Sequence, residues 1–171
     1  MIVLKNVILG TGRYCDVKSG NTLSISGDGG SLAEYSGPSY KKLAPKLATY
    51  TTYSEKLNEL NNLKKDVLRI KEYLEYKRQI EYEYIKSYYD IRLKGMDIGE
   101  LLYILKEKFG EDIILLCYED SSSFCHRRLI ADYIEIETGI YIPEVSVDEK
   151  GNVKKLIPNS YKDRLIEVMK R

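Results

Sequence analysis

Cys117, Glu119, Cys125, His126 and Arg127 share one stretch, IILLCYEDSSSFCHRRLIADY, running from Ile113 to Tyr133. Each could do chemistry. A cysteine at a helix start, flanked by a histidine and two arginines, has the setting that lowers a thiol pKa and makes a nucleophile, so Cys125 is a candidate catalytic residue. The plainer role is packing under the preceding loop. Glu119 could accept hydrogen bonds from a ribose hydroxyl or a base edge, or move protons if desolvated. Arg127 could grip phosphate or carboxylate with two parallel N–H bonds, unless a salt bridge to Glu119 explains both residues. Cys117, Cys125 and His126 offer three soft ligands, but they lack the close Cys-x-x-Cys pair of most structural zinc sites, so neither metal nor cofactor is expected. Cys117 reads as a small core residue.

The elements that must position these groups follow from the same stretch. Ile113 to Cys117 is an unbroken apolar run, too short for an amphipathic helix and suited to a strand buried on both faces. Glu119, Asp120 and three serines form a polar loop. Leu129, Ile130, Tyr133 and Ile134 then recur at helical spacing. In a strand, loop and helix unit the first-turn N–H groups lack partners within the helix and the dipole points its positive end at the loop. An anionic or strongly polar ligand suits that place.

Composition narrows the classes. A chain of 171 residues is long enough for one domain with a proper core. Its net charge of +1 gives no reason to expect a general nucleic-acid surface. No apolar stretch approaches the roughly twenty residues that cross a bilayer, and MIVLKNVILG has no signal-type continuation, so a soluble cytoplasmic protein is expected. Three cysteines argue against an extracellular disulfide framework. Sixteen tyrosines stand against two phenylalanines and no tryptophan. Seven of them fall on the long charged helical segment over residues 53–94, where a partly exposed face or a subunit contact is the plain reading.

Along the chain, Met1 to Leu9 reads as a first strand and Gly10-Thr11-Gly12-Arg13 as the turn after it. The third glycine and the helix of a dinucleotide fingerprint are missing, so a flexible turn is preferred to a phosphate loop. Arg13 would leave its strand on the same sheet edge as Glu119. Thr22 to Ser26 reads as a second strand ending in Gly27-Asp28-Gly29-Gly30. Ser36 to Pro45 should be an ordered loop with a short helix, Tyr40 and Leu43 inward and Pro45 stopping it. From Ser54, a plausible N-cap, Leu57, Leu60, Leu63, Val67, Ile70 and Leu74 keep helical spacing. No proline or glycine intervenes before Gly95, so residues 53–94 form a long helical insertion, as one helix or two meeting near Lys77. Its length suggests either a homodimer through the helix or a helix folded back on its own domain. Asp97 should cap a helix over Ile98 to Phe109 that Gly110 ends. After the central strand and helix, with Gly139 as stop, Ile140 to Val145 reads as a strand that brings Glu144 to the same edge. A turn at Glu149 to Asn152 and a helix over Ser160 to Met169, with Leu165, Ile166 and Met169 inward, close the chain.

The pattern Leu-Cys-Tyr-Glu at Leu116 to Glu119, followed by Cys-His-Arg at Cys125 to Arg127, resembles the signature of the family catalogued as domain of unknown function 488. The resemblance extends through Ser36 to Pro45, Tyr88 to Glu107 and Ile142-Pro143-Glu144, and spans roughly Leu23 to Val145. It implies a Rossmann-like α/β fold and a polar site of unsettled biochemical role. It also implies that Ser24, Ser26 and Gly27 lie near the signature.

The sequence therefore predicts a single three-layer, Rossmann-like α/β domain with a mainly parallel sheet, its site outside the carboxyl ends of the strands. The leading expectation is binding, with or without sequestration, of a small anionic ligand of the nucleotide or nucleotide-derived class. Arg13, Arg127, His126 and the Cys125 helix end would take the charge, the glycine loop would close over it, and Tyr118 or a helical tyrosine would stack on the base. The alternative is a hydrolase or transferase on a nucleotide or modified base, using Cys125 or Glu119. A nucleic-acid module is weaker still, because the charge is balanced.

Overall fold

The computed structural model describes residues 6–64, 69–120 and 123–170. Among them five strands form one sheet: β1 (Ile8–Arg13), β2 (Asn21–Ser24), β3 (Ile113–Cys117), β4 (Glu144–Val147) and β5 (Val153–Leu156). Their spatial order is β2-β3-β1-β4-β5, and all pairs are parallel except β4 with β5. The helices are α1 (Leu47–Lys64), α2 (Ile70–Tyr88), α3 (Ile98–Phe109), α4 (His126–Thr138) and α5 (Lys162–Met169). This is a Rossmann-like α/β fold. None of the described helices is long and apolar enough to cross a membrane.

Alternation along β3 divides its side chains between two cores. Ile113 and Leu115 enter the larger one with residues of α2 to α5, whereas Ile114 and Leu116 enter a smaller one closed by Val17, Tyr14 and Tyr35. Cys117 therefore shares the helix-covered face. On β1 the same alternation turns Gly10 and Gly12 to the smaller core. A Cβ at Gly12 would come within 2.6 Å of a Val17 methyl, and one at Gly10 within 2.8 Å of the Pro143 carbonyl oxygen. These glycines are thus interior strand positions that admit close neighbours. The expected turn over Gly10 to Arg13 is corrected accordingly: strand β1 starts at Ile8, and Met1 to Lys5 lie outside the described residues.

Thr11, facing the other way, begins a buried polar network. Its hydroxyl donates to Glu144 Oε2 at 2.5 Å and accepts from Arg128 Nη1 at 2.8 Å. Arg127, fully buried, donates from Nε and Nη2 to Glu144 Oε1 at 3.0 and 2.8 Å. Arg128 also reaches the Ile142 carbonyl, and Asp132, one helical turn on, accepts from the Tyr161 N–H at 2.7 Å. One network ties α4 to β1, to β4 and to the segment entering α5.

The helical insertion is a hairpin. Thr49 meets Ser87, Lys56 meets Glu83, and Asn61 meets Tyr73, which fixes α1 and α2 as antiparallel. The helix starts at Leu47 rather than at Ser54, which lies inside it, and the two helices part after Lys64 rather than near Lys77. Val67 lies outside the described residues. The expected apolar face is buried only in part: Leu60 is covered, whereas Leu63, Ile70 and Leu74 are more than half exposed. Tyr84 and Tyr88, by contrast, are buried.

Elsewhere the local signals act as expected. Asp97 Oδ1 accepts from the Glu100 N–H, Gly110 and Gly139 end their helices at positive φ, and Tyr40 and Leu43 point inward around a short 3-10 turn. Strand β4 begins at Glu144, so Glu144 lies at its start rather than its end. In α5, Leu165 and Val168 are buried while Ile166 and Met169 are half-buried.

Truncating one partner of a buried ion pair leaves the other desolvated and alone. Glu144→Ala should therefore lower the unfolding free energy by about 3–5 kcal/mol in urea denaturation. A loss under about 1 kcal/mol, the range of an exposed pair, would show that the pair does not secure α4 to the sheet.

Candidate functional site

A cavity of about 640 Å³ opens beyond the carboxyl ends of β2 and β3. Its floor is made by Cys117 at the end of β3, Glu119 in the following loop, and Cys125 and His126 at the start of α4. Its walls are Tyr50 and Tyr53 of α1, Tyr84 of α2, Tyr118 and Phe124. Ser26, Gly27 and Asp28 close one side, and Lys41, Lys46 and Arg92 contribute the cations.

The Phe124 ring fixes where α4 begins. It packs at 4.9 Å from Tyr84, 5.3 Å from Tyr53 and 5.1 Å from Tyr161, measured between ring centroids. This aromatic cage, drawn from α1, α2 and the residue before α5, gives three of the sixteen tyrosines a packing role. The next residue, Cys125, is the N-cap of α4, and its side chain is buried rather than half-buried.

His126 is held at both ring nitrogens. Nε2 lies 2.7 Å from the Ile25 carbonyl oxygen, a partner that can only accept, so Nε2 carries a proton. Nδ1 faces the sulfurs, 3.7 Å from Cys117 and 3.9 Å from Cys125. Cys117 Sγ is also 3.3 Å from Glu119 Oε2. Burial opposes ionisation of Cys125, but the Cys117 hydrogen bond and the positive charges of His126 and Arg127 outweigh it and hold its thiol well below the usual range. The Cys117 thiol goes the opposite way, raised by Cys125 and by burial. Burial and the adjacent Cys125 push the Glu119 carboxyl up to about 7. Burial alone would lower His126, but Cys125 raises it. The two cysteine sulfurs and a histidine nitrogen lie within 4.8 Å of one another, close enough for these three residues to hold a metal ion.

The loop above the floor is organised by Asp28. Its carboxylate accepts from the Gly30 and Leu32 N–H groups, from the Ser26 and Ser31 hydroxyls and from the Tyr118 hydroxyl. Burial would raise its pKa, but those hydrogen bonds win and hold it well below the ordinary carboxylate range. Asp28 lay in a glycine loop of the sequence with only its neighbours to mark it. Its role depends on Tyr118, which is distant in the chain.

The sequence-derived candidates separate into two groups. Tyr118, Glu119, Cys125, His126, Ser26 and Gly27 line the cavity, while Ser24 lies buried beside it, bonded to the Tyr14 hydroxyl at 2.6 Å. Arg127 and Glu144 do not reach the cavity, because each is the other's buried partner. Arg127 pairs with Glu144 rather than with Glu119. Arg13 ends β1 level with Cys117, as expected, yet its guanidinium is engaged by Asp16 at 3.1 Å and lies outside the cavity lining. Lys41, Lys46 and Arg92 were missed in the sequence, since each belongs to a segment that reaches the cavity only through the tertiary fold.

A family model described as "Domain of unknown function DUF488" matches residues 39–134. No curated protein and no solved structure matches the chain.

Because the folded state holds Asp28 below its unfolded pKa of about 3.9, its stabilising contribution is complete above that value and fades as pH falls toward the folded pKa. Asp28→Asn should lower the melting temperature at pH 6, and the gap to wild type should narrow at pH 3. A gap that stays constant with pH would mean that the carboxylate's charge does not order this loop.

Proposed function

The chain belongs to the family described as domain of unknown function DUF488, and we propose that in this member the cavity binds a small anionic ligand with a flat apolar part, most plausibly a nucleotide or nucleotide-derived molecule. The observation that carries this reading is an aromatic-walled cavity with cations at its mouth, outside the carboxyl ends of parallel strands. Its volume of about 640 Å³ suits a molecule of that size. Tyr50 and Tyr53 offer faces on which a base can stack. Lys41 and Lys46, both exposed, and half-buried Arg92 supply the positive charge that Arg13 and Arg127 do not. Arg92 already uses Nε on the Ala44 carbonyl at 2.7 Å, which orients the rest of its guanidinium. Leu32 and Leu47, 87% and 80% exposed, line the same cavity, and a ligand would cover apolar surface that is otherwise wet.

A second reading, a cysteine-dependent hydrolase or transferase, is favoured by the low-pKa thiol of Cys125 beside a Glu119 poised near neutrality. In that case Cys125 attacks, Glu119 delivers or removes a proton, and the same cavity holds the substrate.

Calorimetry and thermal shift with nucleoside mono- and diphosphates and cyclic dinucleotides test both readings. At least one compound should bind at one molecule per chain and raise the melting temperature. Lys46→Ala and Arg92→Ala should each weaken it about tenfold or more, the order of a lost hydrogen bond to a charged group, whereas Arg13→Ala should not. Cys125→Ser should leave affinity largely intact under the first reading and abolish turnover under the second. No binding across the panel, or an Arg13→Ala effect equal to that of Arg92→Ala, would overturn the assignment of the cavity.

A further inference from the structure

We propose that Cys117, Cys125 and His126 form a transition-metal site of the zinc class at the cavity floor, with Glu119 beside its outward coordination position. This goes beyond ligand binding in the cavity and does not require it.

The argument is geometric. A tetrahedral zinc ion with Zn–S near about 2.3 Å and Zn–N near about 2.0 Å sets its ligand atoms about 3.5–3.8 Å apart. The His126 Nδ1 distances to the two sulfurs are 3.7 and 3.9 Å, and the Cys117 sulfur to Glu119 oxygen distance is 3.3 Å. The two nitrogen–sulfur distances are within about 0.4 Å of that spacing, and the two sulfurs lie within 4.8 Å of each other, so small shifts would bring the three atoms onto one ion. They come from separate elements, the end of β3 and the first turn of α4, so the arrangement is a product of the fold and not of a local turn.

His126 is built as a metal-ligating histidine. A histidine that binds metal through one nitrogen donates its other N–H to a carbonyl or carboxylate, which fixes tautomer and ring orientation. The Nε2 contact to the Ile25 carbonyl supplies that anchor and leaves Nδ1 facing the two sulfurs, where a metal ion would take the place of any proton on it. The ring is held further by Tyr88 at a centroid distance of 5.9 Å. The ligand atoms are soft, two sulfurs and an imidazole nitrogen, a set that selects zinc over magnesium or calcium.

Access and coordination number also fit. All three residues line the cavity, which gives an ion a way in and leaves one side of the site facing the open space. Three protein ligands with an open fourth position is the arrangement of zinc sites that take an exchangeable water or ligand group. Glu119, with Oε2 3.3 Å from the Cys117 sulfur, stands beside the set, where it can accept a hydrogen bond from whatever occupies the fourth position. Sequence spacing alone disfavoured this site, because no Cys-x-x-Cys pair is present; the pair is made across the strand–loop–helix unit instead. Loading balances simply: two protons leave, either one from each thiol beside a neutral His126, or one from the Cys117 thiol and one from Nδ1 where Cys125 and His126 are already an ion pair. Bound metal takes Cys125 out of service as a nucleophile.

The test uses the full chain. Cobalt(II) titrated into metal-free protein should give one equivalent per chain, with the intense visible bands of tetrahedral cobalt and a near-ultraviolet thiolate-to-cobalt band. Zinc should displace it, and elemental analysis of protein purified without chelator should find about one zinc. Cys117→Ser and Cys125→Ser should each diminish the thiolate band and weaken zinc by more than the about 100-fold that loss of an outer-shell partner can cost. Cys15→Ser, at an exposed thiol away from the cavity, should change nothing. Should the core variants fold poorly, wild-type protein decides: zinc should slow alkylation of Cys117 and Cys125, read by mass spectrometry, without slowing that of Cys15. Absence of stoichiometric cobalt or zinc, octahedral-type spectra, or a Cys117–Cys125 disulfide in reduced-buffer preparations would overturn the site. None of these readouts depends on nucleotide binding, so failure here and failure of the cavity's ligand assignment are separate results.

Discussion

The buried pairing of Arg127 with Glu144 is the constraint on which the rest of the structure rests. A guanidinium and a carboxylate that are almost entirely removed from water lose several kcal/mol of hydration each, and only good geometry with further hydrogen bonds offsets that. Here two N–H groups of Arg127 converge on one carboxylate oxygen while Thr11 donates to the other. The pair tolerates few alternatives. If α4 turned or slid along its axis, Arg127 would lose its partner inside an apolar core. What the interaction contributes is position more than net stability: it sets the first turn of α4 over β1 and β4, and so sets Cys125 and His126 against Cys117.

Two further devices act on the same turn from the other side. The ring of Phe124 is gripped by tyrosines from the helical hairpin and from the start of α5, which stops the chain just before Cys125 from shifting. The Ile25 carbonyl, at the end of the β2 segment, holds the imidazole of His126. Salt bridge, aromatic cage and carbonyl anchor thus approach the helix start from three directions. The four groups of the cavity floor inherit their spacing from these supports, while the cations at the mouth sit on elements with more exposure.

Much of the fold was legible in the chain because its signals were local. The apolar run of β3, the Asp97 cap, the glycine stops and the helical spacing of α3 and α4 each depend on neighbours a few residues away. The site was legible in part for the same reason, since a strand, a polar loop and a helix start are contiguous. What escaped were pairings across the fold. Nothing near Arg127 in sequence indicates Glu144 as its partner, and Glu119 is the nearer acid. Gly10 and Gly12 looked like a turn because glycine signals flexibility locally, yet their reason is the close approach of Val17 and Pro143 across the sheet face. Periodicity likewise places apolar residues on one side of α1 and α2 without telling where support ends, so Leu63, Ile70 and Leu74 appear equivalent to Leu60 although they are exposed.

The order of the strands bears on how the protein reaches this state. Central strand β1 finds its partners only after most of the chain is available: Ile8 aligns with Ile113, and Thr11 with Glu144. The α1–α2 hairpin closes a short loop and can form early, whereas pairings between such remote residues must first overcome chain-closure entropy. The pairings that complete the sheet around β1 therefore carry a larger closure cost than the contacts within the helical hairpin. The chemistry-bearing corner of the molecule is in that sense a product of complete assembly, and a nascent chain that ends just before Glu144 would carry Cys117 and Cys125 without the carboxylate that sets their spacing.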